Sequence, residues 1–124
     1  MSAWYAAHLI MYVKYTKHTQ RTFPLFENVI LISAESEEEA FAKAERCGQA
    51  RAGKKDAGFT WDGKPATWVF GGVRKLTLCE DAEERPGDGT EITYTEMQVG
   101  SCSALRKLIE GEPVEVTYRE LFRE

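Results

Sequence analysis

Histidine and cysteine are scarce in this chain. The histidines are His8 and His18, and the cysteines are Cys47, Cys79 and Cys102. No Cys-x-x-Cys pair occurs and no carboxylates stand at ligand spacing from the histidines, so neither a disulfide framework nor a bound metal is expected. Net positive charge is missing as well. Sixteen Lys and Arg against 20 Asp and Glu leave −4 at pH 7, which speaks against attachment to nucleic acid. The longest apolar run, Leu9 to Val13, is far shorter than the ~20 residues of a membrane-spanning helix. A basic leader followed by an apolar stretch is also absent. Finally, there is no Gly-rich phosphate loop, nucleophile elbow or paired metal-ligand motif. These absences point to a cytoplasmic protein with reduced thiols, no cofactor, and no membrane or nucleic-acid partner. No motif assigns it a reaction.

What is present is one well-marked unit. With 124 residues the chain suffices for a single α+β domain over residues 1–124, and is too short for two. Val29, Ile30, Leu31 and Ile32 are four branched apolar residues in a row, the mark of a strand covered on both faces. Ser36 followed by Glu39 forms a capping box, and Glu37 and Glu38 place negative charge at the positive end of a helix dipole. Ala40, Phe41, Ala44, Cys47 and Gly48 then recur at helical spacing. The stretch from Phe26 to Gly48 therefore reads as a buried strand turning into an amphipathic helix, which ends between Gly48 and Gly53.

Around this unit the pattern predicts a first strand over Trp4 to Lys14. One face carries Tyr5, Ala7, Leu9, Met11 and Val13. The other carries Trp4, Ala6, His8, Ile10, Tyr12 and Lys14, and it is nearly as apolar. An antiparallel strand in a two-layer domain usually leaves one face polar, so a partner subunit, a ligand or another part of the chain must cover the second. Asp62-Gly63 marks a turn between Trp61 and Trp68. Thr67 to Cys79 reads as a third strand with a bulge or close backbone approach at Gly71-Gly72. Glu80 to Gly89 reads as an acidic loop, and Thr90 to Val99 as a strand returning antiparallel. A short helix from Gly100 to Gly111 turns Leu105, Leu108 and Ile109 inward, and Pro113 to Tyr118 closes the order as a half-exposed strand. Leu121 and Phe122 are expected to tuck the tail down. The predicted fold is a single layer of mostly antiparallel sheet with two helices on one face, in the order β-β-α-β-β-α-β.

Several short stretches together resemble a family of small bacterial proteins catalogued only as a domain of unknown function. They are Trp4-Tyr5, Glu27-Asn28, Ser36-Glu-Glu-Glu-Ala40, Asp62-Gly63-Lys64, Trp68-Val-Phe70, Val73-Arg-Lys-Leu76 and Asp88-Gly-Thr-Glu91. The resemblance covers about residues 4–97 and implies a bacterial, intracellular origin. It carries no activity, cofactor or catalytic residue. Residues from Gly100 onward look like an addition to the family core.

Three sets of residues are candidates for function. Trp4, His8, Ile10 and Tyr12 would form a contact face for self-association, with a homodimer favoured. Trp4, His8, Tyr12, Trp61 and Trp68 would alternatively line an aromatic pocket for a small molecule. Cys102, beside Ser101 and Ser103 in the first turn of a helix, is the candidate reactive thiol, and His8 is the candidate general base. Arg51, Lys54 and Lys55 form a basic cluster that suits a solvated loop better than an anion site. An accessory or interaction protein that self-associates is the leading reading, ahead of a small-molecule-binding module and of an enzyme using Cys102 or His8.

Overall fold

The computed structural model describes residues 2–54 and 57–119. Two compact units divide it, one ending at Thr93 and the other beginning at Tyr94.

The first unit is built on β1 (Ala3–Tyr15), which lies between β2 (Leu25–Ala34) and β4 (Lys64–Leu78). With β3 (Thr60–Trp61) they form one antiparallel sheet in the order β2-β1-β4-β3. The Asp62-Gly63 turn joins β3 to β4, with φ of 51° and 75°. Two consecutive positive φ values suit a two-residue hairpin. The β1–β2 register runs unbroken from Ala3↔Ala34 to Tyr12↔Leu25. Against β4 it slips twice, between His8 and Leu9 and between Ile10 and Met11, which leaves Arg74 and Gly71 as extra residues. The bulge expected at Gly71-Gly72 is thus present, and a second lies beside His8.

Helix α1 (Glu37–Arg51) packs on one face of this sheet. Ser36 caps it by accepting from the Glu39 N–H at 3.1 Å, while the Glu39 carboxylate lies 3.3 Å from Lys43 Nζ one turn on. Ala40, Ala44 and Gly48 are buried, and they close on Ala7, Leu9, Ile32, Ala34 and Val73, with Phe41 and Cys47 half-buried beside them. The small-residue stripe seen in the sequence lets the helix sit low. A Cβ on Gly48 would stand 2.2 Å from the Phe70 ring.

The other face of β1 is covered in part by the chain itself. Cys79 N–H donates to Trp4 carbonyl at 3.0 Å and Trp4 N–H to Ala82 carbonyl at 2.8 Å. The chain then doubles back, with Glu80 N–H donating to Glu91 carbonyl, and Cys79 Sγ lies 3.5 Å from Ile92 carbonyl. Ala6 and His8 are buried on this face, with Thr93 Oγ1 against His8 Nε2, and Ala7 and Leu9 are buried on the helix side. A later segment of the same chain thus supplies part of the cover expected for this face.

The expected strand over Thr90 to Val99 is a correction. Residues 90–96 are irregular, and only β5 (Met97–Gln98) is extended and paired. Thr90 closes a turn on Gly87 by backbone and side chain instead, and Thr93 is engaged by a side chain of β1. A threonine-rich composition fits a pleated, half-buried surface, but it makes a strand only where a ladder partner is offered.

In the second unit, β5 pairs antiparallel with β6 (Thr117–Tyr118), shorter than the strand predicted from Pro113. Helix α2 (Cys102–Glu110) has Ser101 as N-cap and Gly111 as left-handed C-cap. It buries none of its residues. Leu105 and Ile109, expected on an inner face, are 48% and 75% exposed. Lys55, Leu121 and Phe122 lie outside the described residues.

Candidate functional site

Strand alternation decides which side chains meet on the face of the first unit opposite α1. Ala7 and Leu9 point to the helix, so His8 points away from it. Register puts Val29 of β2 and Lys75 of β4 directly across from His8, and Glu27 diagonally across. His8 Nδ1 lies 2.5 Å from Glu27 Oε2, and His8 Nε2 lies 2.6 Å from Thr93 Oγ1. Arg74 Nη1 comes within 3.7 Å of the same Glu27 oxygen. The β4 bulge at Arg74 is what brings two consecutive basic residues, Arg74 and Lys75, to this position. Re-aiming a side chain is a common result of such a bulge.

A carboxylate only accepts, so His8 Nδ1 carries a proton toward Glu27. Nε2 can then accept from the Thr93 hydroxyl, or donate to it when the ring is charged. Both ring nitrogens are satisfied in either state. The ring itself is 2% exposed, whereas the Glu27 side chain is 29% exposed and Thr93 is half-buried. A closed imidazole thus links two groups that reach solvent.

A second feature is the outer edge of β2. Val13 N–H donates to Pro24 carbonyl, which makes the even-numbered residues of β2 the ones whose backbone groups face β1. Leu25, Glu27, Val29, Leu31 and Ser33 therefore turn theirs outward. Lys43 Nζ takes the Ser33 carbonyl at 2.6 Å. The other four have no backbone partner among the described residues. Leu25, Phe26, Val29 and Leu31 are 42–61% exposed along this strand. An open groove of about 530 Å³ follows the edge beside α1, lined by Trp4, Leu31, Ser33, Lys43, Arg46 and Cys47.

The residues singled out from the sequence fall into separate places. Trp4, His8, Ile10 and Tyr12 share the face opposite α1, where Tyr12 stacks edge-on against Phe23 at 5.7 Å. Trp61 and Trp68 join Phe26 and Phe59 in an aromatic cluster with centroids 5.2–6.2 Å apart. Register places Trp68 beside Val13 and Phe26 beside Met11, on the α1 side of the sheet. The two tryptophans are therefore not brought together with His8. Cys102 is exposed at the first position of α2. Cys79 is buried, and burial raises its thiol pKa above the ordinary value.

Glu27 and Thr93 as partners of His8, and Arg74 as a neighbour of Glu27, were missed. The Glu27 pairing needs the β1–β2 register, the Arg74 contact needs a bulge, and Thr93 lies 85 residues from His8. No local spacing encodes any of the three. Among the described residues, no three His, Cys, Asp or Glu side chains converge as a metal site would require. Nor is any described helix long and apolar enough to cross a membrane.

The first unit is thus an α+β sheet-and-helix domain with a hydroxyl–imidazole–carboxylate chain, centred on a buried histidine, on one face and an open strand at one edge. The family profile of DUF4288, a domain of unknown function, matches residues 4–94, and the chain belongs to that family. The match ends one residue beyond the first compact unit. No curated protein and no solved structure matches the chain.

Proposed function

We propose that the protein is a self-associating interaction protein that joins a second copy through the outer edge of β2. The observation that carries this reading is the outer edge of β2, a ten-residue strand whose outward backbone groups from Leu25 to Leu31 have no backbone partner among the described residues, with Leu25, Phe26, Val29 and Leu31 exposed. Such an edge is a template for another strand. A two-fold axis needs a surface that complements itself, and α1 provides one beside the groove. Glu39, Lys43 and Arg46 recur on one helical face, acidic toward the N-terminus and basic toward the C-terminus. Antiparallel approach of two copies sets Glu39 of each against Arg46 of the other while the two β2 strands pair. The exposed free thiol at Cys102 suits a reducing compartment such as the cytoplasm.

Sedimentation at tens of micromolar tests the reading against the 14.0 kDa chain mass. The expected species has twice that mass, and Leu31→Pro returns it to the monomer, because the Leu31 N–H faces outward and its loss costs no bond to β1. A wild-type protein that sediments as a monomer overturns the proposal. So does a folded Leu31→Pro protein that stays dimeric.

A further inference from the structure

We propose that Thr93 is a nucleophile, activated by His8, and that the first unit carries out acyl transfer from activated esters. Three elements distant in sequence supply the parts in the order this chemistry needs. Thr93 Oγ1 stands 2.6 Å from His8 Nε2, and His8 Nδ1 stands 2.5 Å from Glu27 Oε2. Both distances are within reach for proton transfer in a nucleophile–base–orienter chain. The hydroxyl belongs to a half-buried residue at the surface end, and the base is shielded from water behind it. A merely structural histidine needs its nitrogens satisfied by any two partners. Here one partner can only accept and the other is a potential nucleophile.

In the acylation step Thr93 Oγ1 forms a bond to the ester carbonyl carbon, and the carbonyl electron pair moves onto oxygen. The hydroxyl proton passes to His8 Nε2. When the carbonyl re-forms, the bond to the leaving alcohol breaks and His8 returns the proton to that alcohol. Water then repeats the sequence on the acyl-threonine, releasing the acid and restoring the hydroxyl. No oxidant, metal or cofactor enters. Glu27 is a positioning residue: it holds the Nδ1–H tautomer and faces the imidazolium as it forms. Arg74 lies 3.7 Å from the same carboxylate oxygen, Lys75 stands across the sheet from His8, and these are the charged groups facing the ring from β4.

The test uses the full chain with its reactive thiols first alkylated, and p-nitrophenyl acetate as the acyl donor. An acetyl group on Thr93, located by peptide mass spectrometry, is expected, accompanied by a burst of p-nitrophenolate. Thr93→Ser keeps the adduct at that position, and His8→Gln lowers its rate of formation by about 100-fold or more, the usual contribution of a positioned base. Glu27→Gln lowers the rate and changes its pH profile, which a purely structural role would not do. An unmodified Thr93 in the wild-type protein overturns the proposal without any variant. Equal acetylation in a His8→Gln protein that retains a cooperative thermal transition also overturns it.

Discussion

Gly48→Ala tests the packing of α1 on the sheet, because two opposed effects of known size meet there. In an isolated helix the substitution stabilises, since alanine is favoured over glycine by about 1 kcal/mol. In this protein the new Cβ would lie 2.2, 2.4 and 2.5 Å from three carbons of the Phe70 ring. Carbon atoms rest about 3.5–4.0 Å apart, so the ring or the helix must move by more than an ångström. Phe70 packs against the core cluster and cannot swing into open space without uncovering it. Overpacking of this kind costs about 1–3 kcal/mol, and with the severe overlap the net is a loss of about 1–2 kcal/mol after the propensity gain is subtracted. Thermal unfolding followed by circular dichroism should show Tm lower by roughly 5 °C for a domain of this size. Phe70→Leu in the same chain should recover part of the loss, a coupling of about 0.5 kcal/mol or more. A Gly48→Ala protein with a raised Tm would refute the close approach of helix and sheet.

Other perturbations read other parts of the structure. Ile30→Pro removes an N–H that bonds to β1 and should unfold the first unit at much lower temperature than Leu31→Pro, whose N–H faces outward; equal melting would refute the assigned edge. Ser36→Ala should cost about 1 kcal/mol in chemical denaturation through the lost cap of α1, and no change would place the cap elsewhere. Alkylation with iodoacetamide should modify Cys102 first, Cys47 next and Cys79 last, following exposed, half-buried and buried positions; rapid labelling of Cys79 in the native state would contradict its burial. Burial favours the neutral Cys79 thiol in the folded state. Its contribution is therefore full below the ordinary thiol value of 9.0 and lost as pH rises above it. Measured against Cys79→Ala, the wild type should lose stability more steeply over that alkaline range.

The readable parts of the fold were those decided by near neighbours. Ser36, three residues before Glu39, needs nothing beyond its own turn to cap a helix, and Asp62-Gly63 needs only two positive φ values to make a hairpin. The apolar stripe through Ala40, Ala44 and Gly48 was also legible as the buried face of α1, although Phe70 as its seat could not be named from α1 alone. Sequence reasoning fell short where a segment answers to something distant. Thr90 to Val99 has the composition of a strand, yet Glu80, Gly87 and His8 claim its hydrogen-bonding groups before β4 can. The same cause hid the site. His8 stood out as a polar residue on an apolar strand, but its meaning lay in a register, a bulge and a contact 85 residues away. The second face of β1 holds two things rather than one. Close to β4 the chain covers itself and forms the Thr93–His8–Glu27 chain. Along β2 the apolar surface continues, uncovered, to an edge whose outward N–H and C=O groups at Val29 and Leu31 have no backbone partner among the described residues. His8 lies on β1, whereas Leu31 lies on β2 across from Ala6 and turns its own N–H outward, so blocking the edge with Leu31→Pro should leave Thr93 acylation intact.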